Sequence, residues 1–351
     1  MQYDLIAYIG RFQPYHVGHK VLVDNALKIA AKVAIVLGSA ETARSEKNPF
    51  TAAERIEMIK ASHPDALDRL VFIPQVDYPY NYDRWLSEVT GAITAAAVAS
   101  KPLYSQPAAW QDGKVVIGLT GFDKDASSFY LRGFPQWDFV PPPNDLLPHN
   151  ATSIREDLFL GEGFADGVCL LTDGTMEWLR NFRVEKNASF LLVANEMRAM
   201  KLYHKQWENV PYPPTFVTTD AVVTQDAHVL LVTRGAYPGY GLFALPGGFI
   251  GPSETLEDSM LRELAEETAI KVPKAVLRGS IVSRRVFDAP FRSARGRTIT
   301  HAFHVRLNEA KLPKVKGSDD AAHAMWVPLS KLKRDALFED HYDIIQTMVG
   351  L

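Results

Sequence analysis

The chain has 351 residues, and at roughly 150 residues per domain that length points to two domains. Hydrophobic residues make up 47% and charged residues 23%, with 22 glycines and 22 prolines, which excludes collagen-like, coiled-coil and largely disordered classes. Basic residues number 38 and acidic residues 41, a net charge of −3, so the electrostatic footprint of a nucleic-acid-coating protein is missing and no nucleic-acid partner is expected.

In chain order, residues 5–9 form a short apolar run ending at Gly10. A helical pattern follows through Val21, Leu22, Ala26, Leu27 and Ala30, and then a second apolar run, 33–37. Next come a helix near 52–61, an apolar run 70–74, a helix near 84–97 and a run 115–119 ending at Gly121. Buried strands alternating with helices imply a mostly parallel sheet covered on both faces. Ligands of such sheets sit beyond the carboxyl ends of the strands, which puts 10–19, 39–50, 77–85 and 121–128 around one cleft. Residues 176–207 read as helical, with a break near Asn187. The cluster Pro211, Pro213 and Pro214 then punctuates the chain. This places a Pro-rich linker at 208–214, between an α/β domain, 1–207, and a second domain, 215–351. In the second domain, 216–224, 228–232, 276–284 and 298–307 read as strands, 254–268 as a strong helix and 335–348 as a closing helix, an α+β pattern.

No stretch reaches the ~18 apolar residues of a membrane span, and the N-terminus lacks a basic segment followed by a long apolar one, so neither a membrane partner nor a signal peptide is expected. The single cysteine, Cys169, can form neither an intrachain disulfide nor a thiolate zinc site, and a reducing cytoplasmic location is the natural reading. The sequence leaves homo-oligomerisation open.

Two constellations carry chemistry. The first lies between the first strand and the first helix: Gly10, Arg11, Phe12, Gln13, Pro14, Tyr15, His16, Val17, Gly18, His19. Gly18 permits close backbone approach, and a helix N-terminus offers unpaired N–H groups and partial positive charge to an anion. Two histidines three residues apart can donate to phosphate oxygens from that turn. The second is Gly248, Glu254, Arg262, Glu263, Glu266 and Glu267. Glu263, Glu266 and Glu267 stand at i, i+3 and i+4 on one helix face, where like charges repel unless a hard divalent cation, Mg²⁺ or Mn²⁺, relieves them. Arg262 is placed to pair with Glu254 or Asp258, and the backbone near Gly248 can approach the same cations. Segment 252–254 reads as the helix start.

Residues 10–19 resemble the H-x-G-H signature of the nucleotidylyltransferase superfamily, and the fuller stretch is similar to nicotinamide mononucleotide (NMN) adenylyltransferases. Lys47, Asn48, Pro49, Phe50, Thr51 and Arg55, then Asp77 and Trp85, and Thr152 with Arg155 of the second signature, agree with that resemblance. Within that signature, His149 and Asn150 replace its usual Ile-Ser start. Segments 121–128 and 134–137 resemble the bacterial bifunctional subgroup. Residues 248–270 are similar to the Nudix box at every defined position but one: Ala269 stands where glycine is usual, which puts the helix-ending turn in doubt.

The resemblance implies a Rossmann-like nucleotidylyltransferase domain with a parallel sheet, followed by an α+β Nudix domain, α/β overall. It implies ATP and NMN as substrates and NAD as product in the first, and ADP-ribose hydrolysis to AMP and ribose 5-phosphate in the second. His16 and His19 would meet the ATP phosphates, and Arg155 the β- and γ-phosphates, with Arg11, Gly18, Asn48, Asp77 and Thr152 around the substrates. Trp85 would offer its face to the nicotinamide ring, unless it is an ordinary core aromatic. Glu263, Glu266, Glu267 and Gly248 would hold the cation, with Glu263 and Glu267 catalytic. Arg292 and Arg297 would face phosphate, unless they belong to a plain basic loop. Asp319 or Asp320 would serve as general base, unless they are turn formers. Two other readings remain: a Nudix domain that senses ADP-ribose or NAD without cleaving it, and a transferase with another acceptor.

Overall fold

The computed structural model describes residues 2–100, 115–122, 126–143, 151–161, 170–317 and 321–350. The chain folds as two compact units, 1–194 and 195–351.

The first unit is built on strands that alternate with helices. They are β1 (Tyr3–Gly10), β2 (Ala30–Leu37), β3 (Leu70–Pro74), β4 (Ile117–Thr120) and β5 (Asp138–Val140), with α1 (Val17–Ile29), α2 (Ala52–Ser62) and α3 (Tyr82–Ala99). All pairings are parallel, in the order β3-β2-β1-β4-β5. Six residues of β1 are buried, in a nearly unbroken run, as a strand covered on both faces requires. Leu5, Ala7 and Ile9 pack with Val89 and Ile93 of α3 and with Leu119. Burying each large aliphatic side chain contributes about 1.5–3 kcal/mol. The strand order reverses at β1, with β2 on one side and β4 on the other, and the crevice at such a switch point is where an open α/β sheet binds its ligand. Three helices complete the unit's chain: α4 (Ala151–Leu160), α5 (Asp173–Glu185) and α6 (Asn187–Lys205). The expected break near Asn187 is present, at Lys186, and the division between units falls inside α6.

The second unit is a mixed sheet of β6 (Phe216–Gln225), β7 (His228–Arg234), β8 (Phe243–Ala244), β9 (Gly247–Phe249), β10 (Ile281–Phe287), β11 (Thr298–Arg306) and β12 (Ala321–Pro328). The order is β10-β11-β6-β7-β12, with β8 on β7 and β9 on β6. Only β11 and β6 pair in parallel among the described strands of this sheet. Across it lies α7 (Leu256–Thr268), whose Met260, Leu261 and Leu264 enter the core beside Ala221, Val223 and Phe303.

Three expectations are corrected. α7 starts at Leu256, because the Thr255 hydroxyl accepts the Asp258 N–H as the cap, which leaves Glu254 ahead of the helix. Residues 276–279 are not strand but the end of α8 (Lys274–Gly279), with Pro273 at its N-cap, so the strand begins only at Ile281. The closing helix, α9 (His341–Val349), starts six residues later than expected, because Leu337 bridges to Phe243 and Glu339 has φ 46°.

Candidate active sites

The first site forms at the carboxyl end of β1. A Cβ on Gly10 would lie 2.9 Å from the Phe12 ring, so glycine lets Phe12, at φ 54°, fold back over the strand end. The chain then enters α1 with His16 as N-cap and no acidic residue in the first turn, leaving the helix N-terminus suited to an anion. The His16 backbone N–H donates to His19 Nδ1 at 3.2 Å. An accepting Nδ1 means that neutral His19 carries its proton on Nε2 and can donate from there. The two rings stack at 3.6 Å and 25°.

Three arginines surround this turn. The Arg55 side chain, fully buried, donates to the carbonyls of Arg11 (2.6 Å), Gly38 (2.7 Å), Ser39 and Thr51. It thereby ties the ends of β1 and β2 to α2. Arg155 donates to the carbonyls of Gln13 and Glu46, both at 3.0 Å, and to the Thr152 hydroxyl at 3.1 Å. Burial, and after it the charge of Arg11, push Arg155 down to about 10. Arg55 is likewise held at about 10 by burial and Arg11, against the pull of Asp77. Both stay charged near neutral pH, with Arg11 disfavouring the charge of each. An anion at this point would relieve that crowding.

The neighbouring loops close on the same place. Asp77 accepts from the Ser39 hydroxyl at 2.5 Å and from its N–H at 3.2 Å. Gln13 clasps Phe50 with a donated bond of 2.9 Å and an accepted one of 3.0 Å. The Asn48 side-chain oxygen is buried without a hydrogen-bond partner among the described residues, so a ligand N–H would satisfy it. Glu54 anchors the loop before α2 by binding Arg44 with both oxygens, 2.7 Å each, and Lys186 at 2.9 Å. Burial alone would raise this carboxyl, but Arg44, Lys186 and the Thr51 backbone outweigh it and hold it at about 2.

The second site forms where α7 crosses β9. Arg262 is its hub: it donates to Glu254 at 2.6 and 3.0 Å, to Glu263 at 2.9 Å and to Glu266 at 2.9 Å. Asp258 instead joins Arg278 and Thr255. Glu267 accepts the Gly247 N–H at 3.0 Å, and a Cβ on Gly248 would lie 2.4 Å from Glu263 Oε1. The two glycines therefore form a bare ledge against which the Glu263 and Glu267 carboxylates lie. A cavity of about 120 Å³ opens here, lined by Asp220, Gly248, Glu267, Arg292, Arg295 and Glu339 among others.

Comparison with known proteins covers both halves. A cytidylyltransferase-like family model matches residues 7–156, and a NUDIX domain model matches residues 214–348. The crystal structure of a bifunctional NMN adenylyltransferase/ADP-ribose pyrophosphatase from Francisella tularensis, in complex with AMP and a manganese ion, is 32% identical, covers 99% of each chain and superposes with a TM-score of 0.86. The chain belongs to this bifunctional adenylyltransferase–Nudix family. Each half also has a separate relative. A nicotinamide/nicotinic acid mononucleotide adenylyltransferase of Acinetobacter baylyi is 32% identical over 52% of this chain and 88% of its own. An ADP-ribose pyrophosphatase of Methanocaldococcus jannaschii is 35% identical over 37% of this chain and 70% of its own.

Among the expected residues, the structure pairs His16 with His19, Arg155 with Thr152 and with the Gln13 carbonyl of the same turn, and Asp77 with Ser39 at the end of β2. Trp85 packs in an aromatic group, stacked on Tyr82 at 5.8 Å and against Tyr130 and Phe134, so part of its surface is spent on the core.

In the second site, the expected convergence of three carboxylates becomes a pair. Among the described residues no three His, Cys, Asp or Glu side chains stand together as a metal cage, and Glu263 and Glu266 both pair with Arg262 at 2.9 Å. Glu263 and Glu267, oxygen donors over a glycine ledge that admits no side chain, still fit a hard divalent cation. Arg292 lines the cavity, but its guanidinium is committed to Asp340 at 2.7 and 2.8 Å, both side chains being buried. Arg297 is absent from the cavity lining and donates to the Asp288 carbonyl, because the turn at Gly296, φ 130°, separates it from Arg295. Asp319 and Asp320, like His149 and Asn150, lie outside the described residues. Sequence reasoning missed Asp220, Glu339 and His341. The run Phe338, Glu339, Asp340, His341 ahead of the closing helix was the available signal. Among the described residues, no helix is long and apolar enough to cross a membrane.

Proposed function

We propose that this chain makes NAD in its first unit and hydrolyses ADP-ribose in its second. In the first, the 5′-phosphate of NMN attacks the α-phosphorus of ATP and displaces pyrophosphate. Such a transfer needs positioning and charge neutralisation more than it needs a nucleophile. The observation that supports it best is that Arg55 and Arg155 grip the Arg11 and Gln13 carbonyls beside a helix N-terminus that carries two histidines. His19 Nε2–H and His16 donate to the triphosphate as its negative charge shifts toward the leaving group. Arg155, already spanning the Gln13 and Glu46 carbonyls, faces that leaving group with Arg11. Asn48 accepts an N–H of the bound nucleotide, and Trp85 offers the edge of the nicotinamide pocket.

In the second unit, Glu263 and Glu267 would hold a divalent cation, Mg²⁺ or Mn²⁺, with the carbonyl of Gly248. When bound, the cation polarises the pyrophosphate and acidifies the attacking water. The chain's own contribution is to aim the carboxylates. Arg262 fixes Glu263 from one side, and the Gly247 N–H fixes Glu267 from the other. Arg295 gives the cavity positive charge for the diphosphate, while Arg292 is held by Asp340. The products are AMP and ribose 5-phosphate. Retention of both ledge carboxylates supports hydrolysis over a sensor that binds ADP-ribose or NAD intact.

Purified protein incubated with ATP and NMN, and separately with ADP-ribose and Mg²⁺ or Mn²⁺, tests both halves by chromatography of the products. NAD plus pyrophosphate, and AMP plus ribose 5-phosphate, are expected. Intact ADP-ribose that nevertheless binds would establish the sensor reading instead. Transfer to FMN or phosphopantetheine, with none to NMN, would move the acceptor.

A further inference from the structure

Behind the histidine pair lies a buried chain of polar groups that neither reaction uses directly. The Tyr15 side chain is fully buried, and its hydroxyl lies 2.6 Å from His63 Nε2. The other nitrogen of that ring, Nδ1, lies 3.2 Å from Asp24 Oδ1. The three residues come from three places: the loop before α1, the body of α1, and the residue that closes α2.

Chemistry sets the direction of each bond. A carboxylate only accepts, so the 3.2 Å approach of Asp24 to Nδ1 favours the tautomer with its proton on Nδ1. Its Nε2 must then accept, and Tyr15 donates. Burial pushes His63 down to about 4, against the pull of Asp24, which keeps the ring neutral near pH 7. Burial, with Tyr8 and Asp24 behind it, raises Tyr15 well above the usual phenol range, so it remains a donor.

The far end of this chain is the catalytic turn. The Tyr15 ring stacks on the His19 ring at 5.5 Å and 22°, and Phe12 meets His19 edge-on at 4.9 Å and 68°. His19 accepts a backbone bond of 3.2 Å at Nδ1, and its ring is packed between His16, at 3.6 Å and 25°, and the Tyr15 and Phe12 rings. A phenylalanine at position 15 would fill nearly the same space. A buried hydroxyl in its place costs free energy unless it is partnered, and here the partner is in turn oriented by a carboxylate.

We propose that Asp24, His63 and Tyr15 form a positioning relay that sets the plane of the Tyr15 ring, and through it the aim of His19 Nε2, during adenylyl transfer. The inference rests on the reading of the first unit as the adenylyl-transfer site. None of the three residues touches substrate. They act on His19 as outer-sphere partners act on a metal-bound histidine, by fixing ring orientation.

The test uses the full-length Tyr15→Phe, His63→Ala and His63→Gln variants, with thermal unfolding of the first unit in the same preparations as the control for folding. In Tyr15→Phe, kcat for NAD formation should fall about tenfold while KM for ATP stays within about twofold, since aim rather than binding is lost. His63→Gln, whose side-chain oxygen can accept from Tyr15, should recover part of the rate lost in His63→Ala. The ¹⁵N signals of the His19 ring, those of one Nε2–H tautomer in the parent protein, should shift or broaden in Tyr15→Phe. Unchanged kcat in Tyr15→Phe and His63→Ala would overturn the relay. So would a rate loss in which His63→Gln matches His63→Ala and the His19 signals stay put, because that pattern belongs to packing alone. If the parent protein forms no NAD, the reading of the site falls, while the His19 signals still decide whether the relay exists.

Discussion

The two sites handle the same kind of group, a phosphoanhydride, with charges of opposite sign. In the first unit the protein supplies the positive charge itself, through Arg11, Arg55, Arg155 and a helix N-terminus. In the second the converging side chains are carboxylates, and positive charge must arrive with a cation. The difference extends to how each site is held. Arg55 and Arg155 grip backbone carbonyls from separate loops, so their charges are spread over many fixed partners. At the second site a single guanidinium, Arg262, gathers Glu254, Glu263 and Glu266. A site that must accept a cation needs its carboxylates kept apart and aimed beforehand, and one arginine does this. A site that binds an anion needs its cations held together against their repulsion, and that takes many acceptors.

The sharpest way to break the contrast is at the hub. Arg262→Ala should lower ADP-ribose hydrolysis by about 100-fold and leave NAD formation alone, because Glu263 loses the arginine that aims it while Glu267 keeps only its bond from Gly247. Initial rates of both reactions on one preparation check this, and Arg262→Lys should recover little, since an ammonium cannot reproduce the forked geometry.

The first unit should instead show its dependence on charge in its stability. The folded Glu54 carboxyl sits at about 2 against an ordinary value of 4.5. Its contribution is therefore fully present above 4.5 and is lost as pH falls toward 2. Glu54→Gln should cost the first unit about 3 kcal/mol at neutral pH and flatten its loss of stability between about pH 5 and 2, read by thermal unfolding across that range.

The smallest effect is expected at the end of α7. Ala269 occupies the left-handed region at φ 44°, ψ 33°, where glycine carries no Cβ penalty. Ala269→Gly should stabilise the second unit by about 0.5–1 kcal/mol without altering hydrolysis, measured by chemical denaturation.

What could be read from the chain beforehand was whatever is local. The apolar run 70–74 is β3 to the residue, and the H-x-G-H turn and the acidic helix lie where their spacing put them. Boundaries failed where a neighbour decided them. Val276 and Leu277 look β-forming, but Pro273 opens a helical turn there, and Glu254 looks like a helix start until Thr255 takes the capping bond. The pairing of a site residue stayed hidden where its partner is remote. Arg292 pairs with Asp340, 48 residues away, and no local pattern reveals that pair. Glu266 belongs to the acidic face by spacing, and Arg262 on the same helix pairs with it and with Glu263 alike. The glycines of β9 became informative only once folded, when Gly247 and Gly248 proved to be the floor on which two carboxylates rest.

One polypeptide thus carries two separate phosphoanhydride sites. Assaying both reactions on purified His19→Ala and Glu267→Gln tests it most directly. His19→Ala should lose at least about 100-fold in NAD formation and keep ADP-ribose hydrolysis, and Glu267→Gln should do the reverse. Loss of both activities in either folded variant would contradict the account.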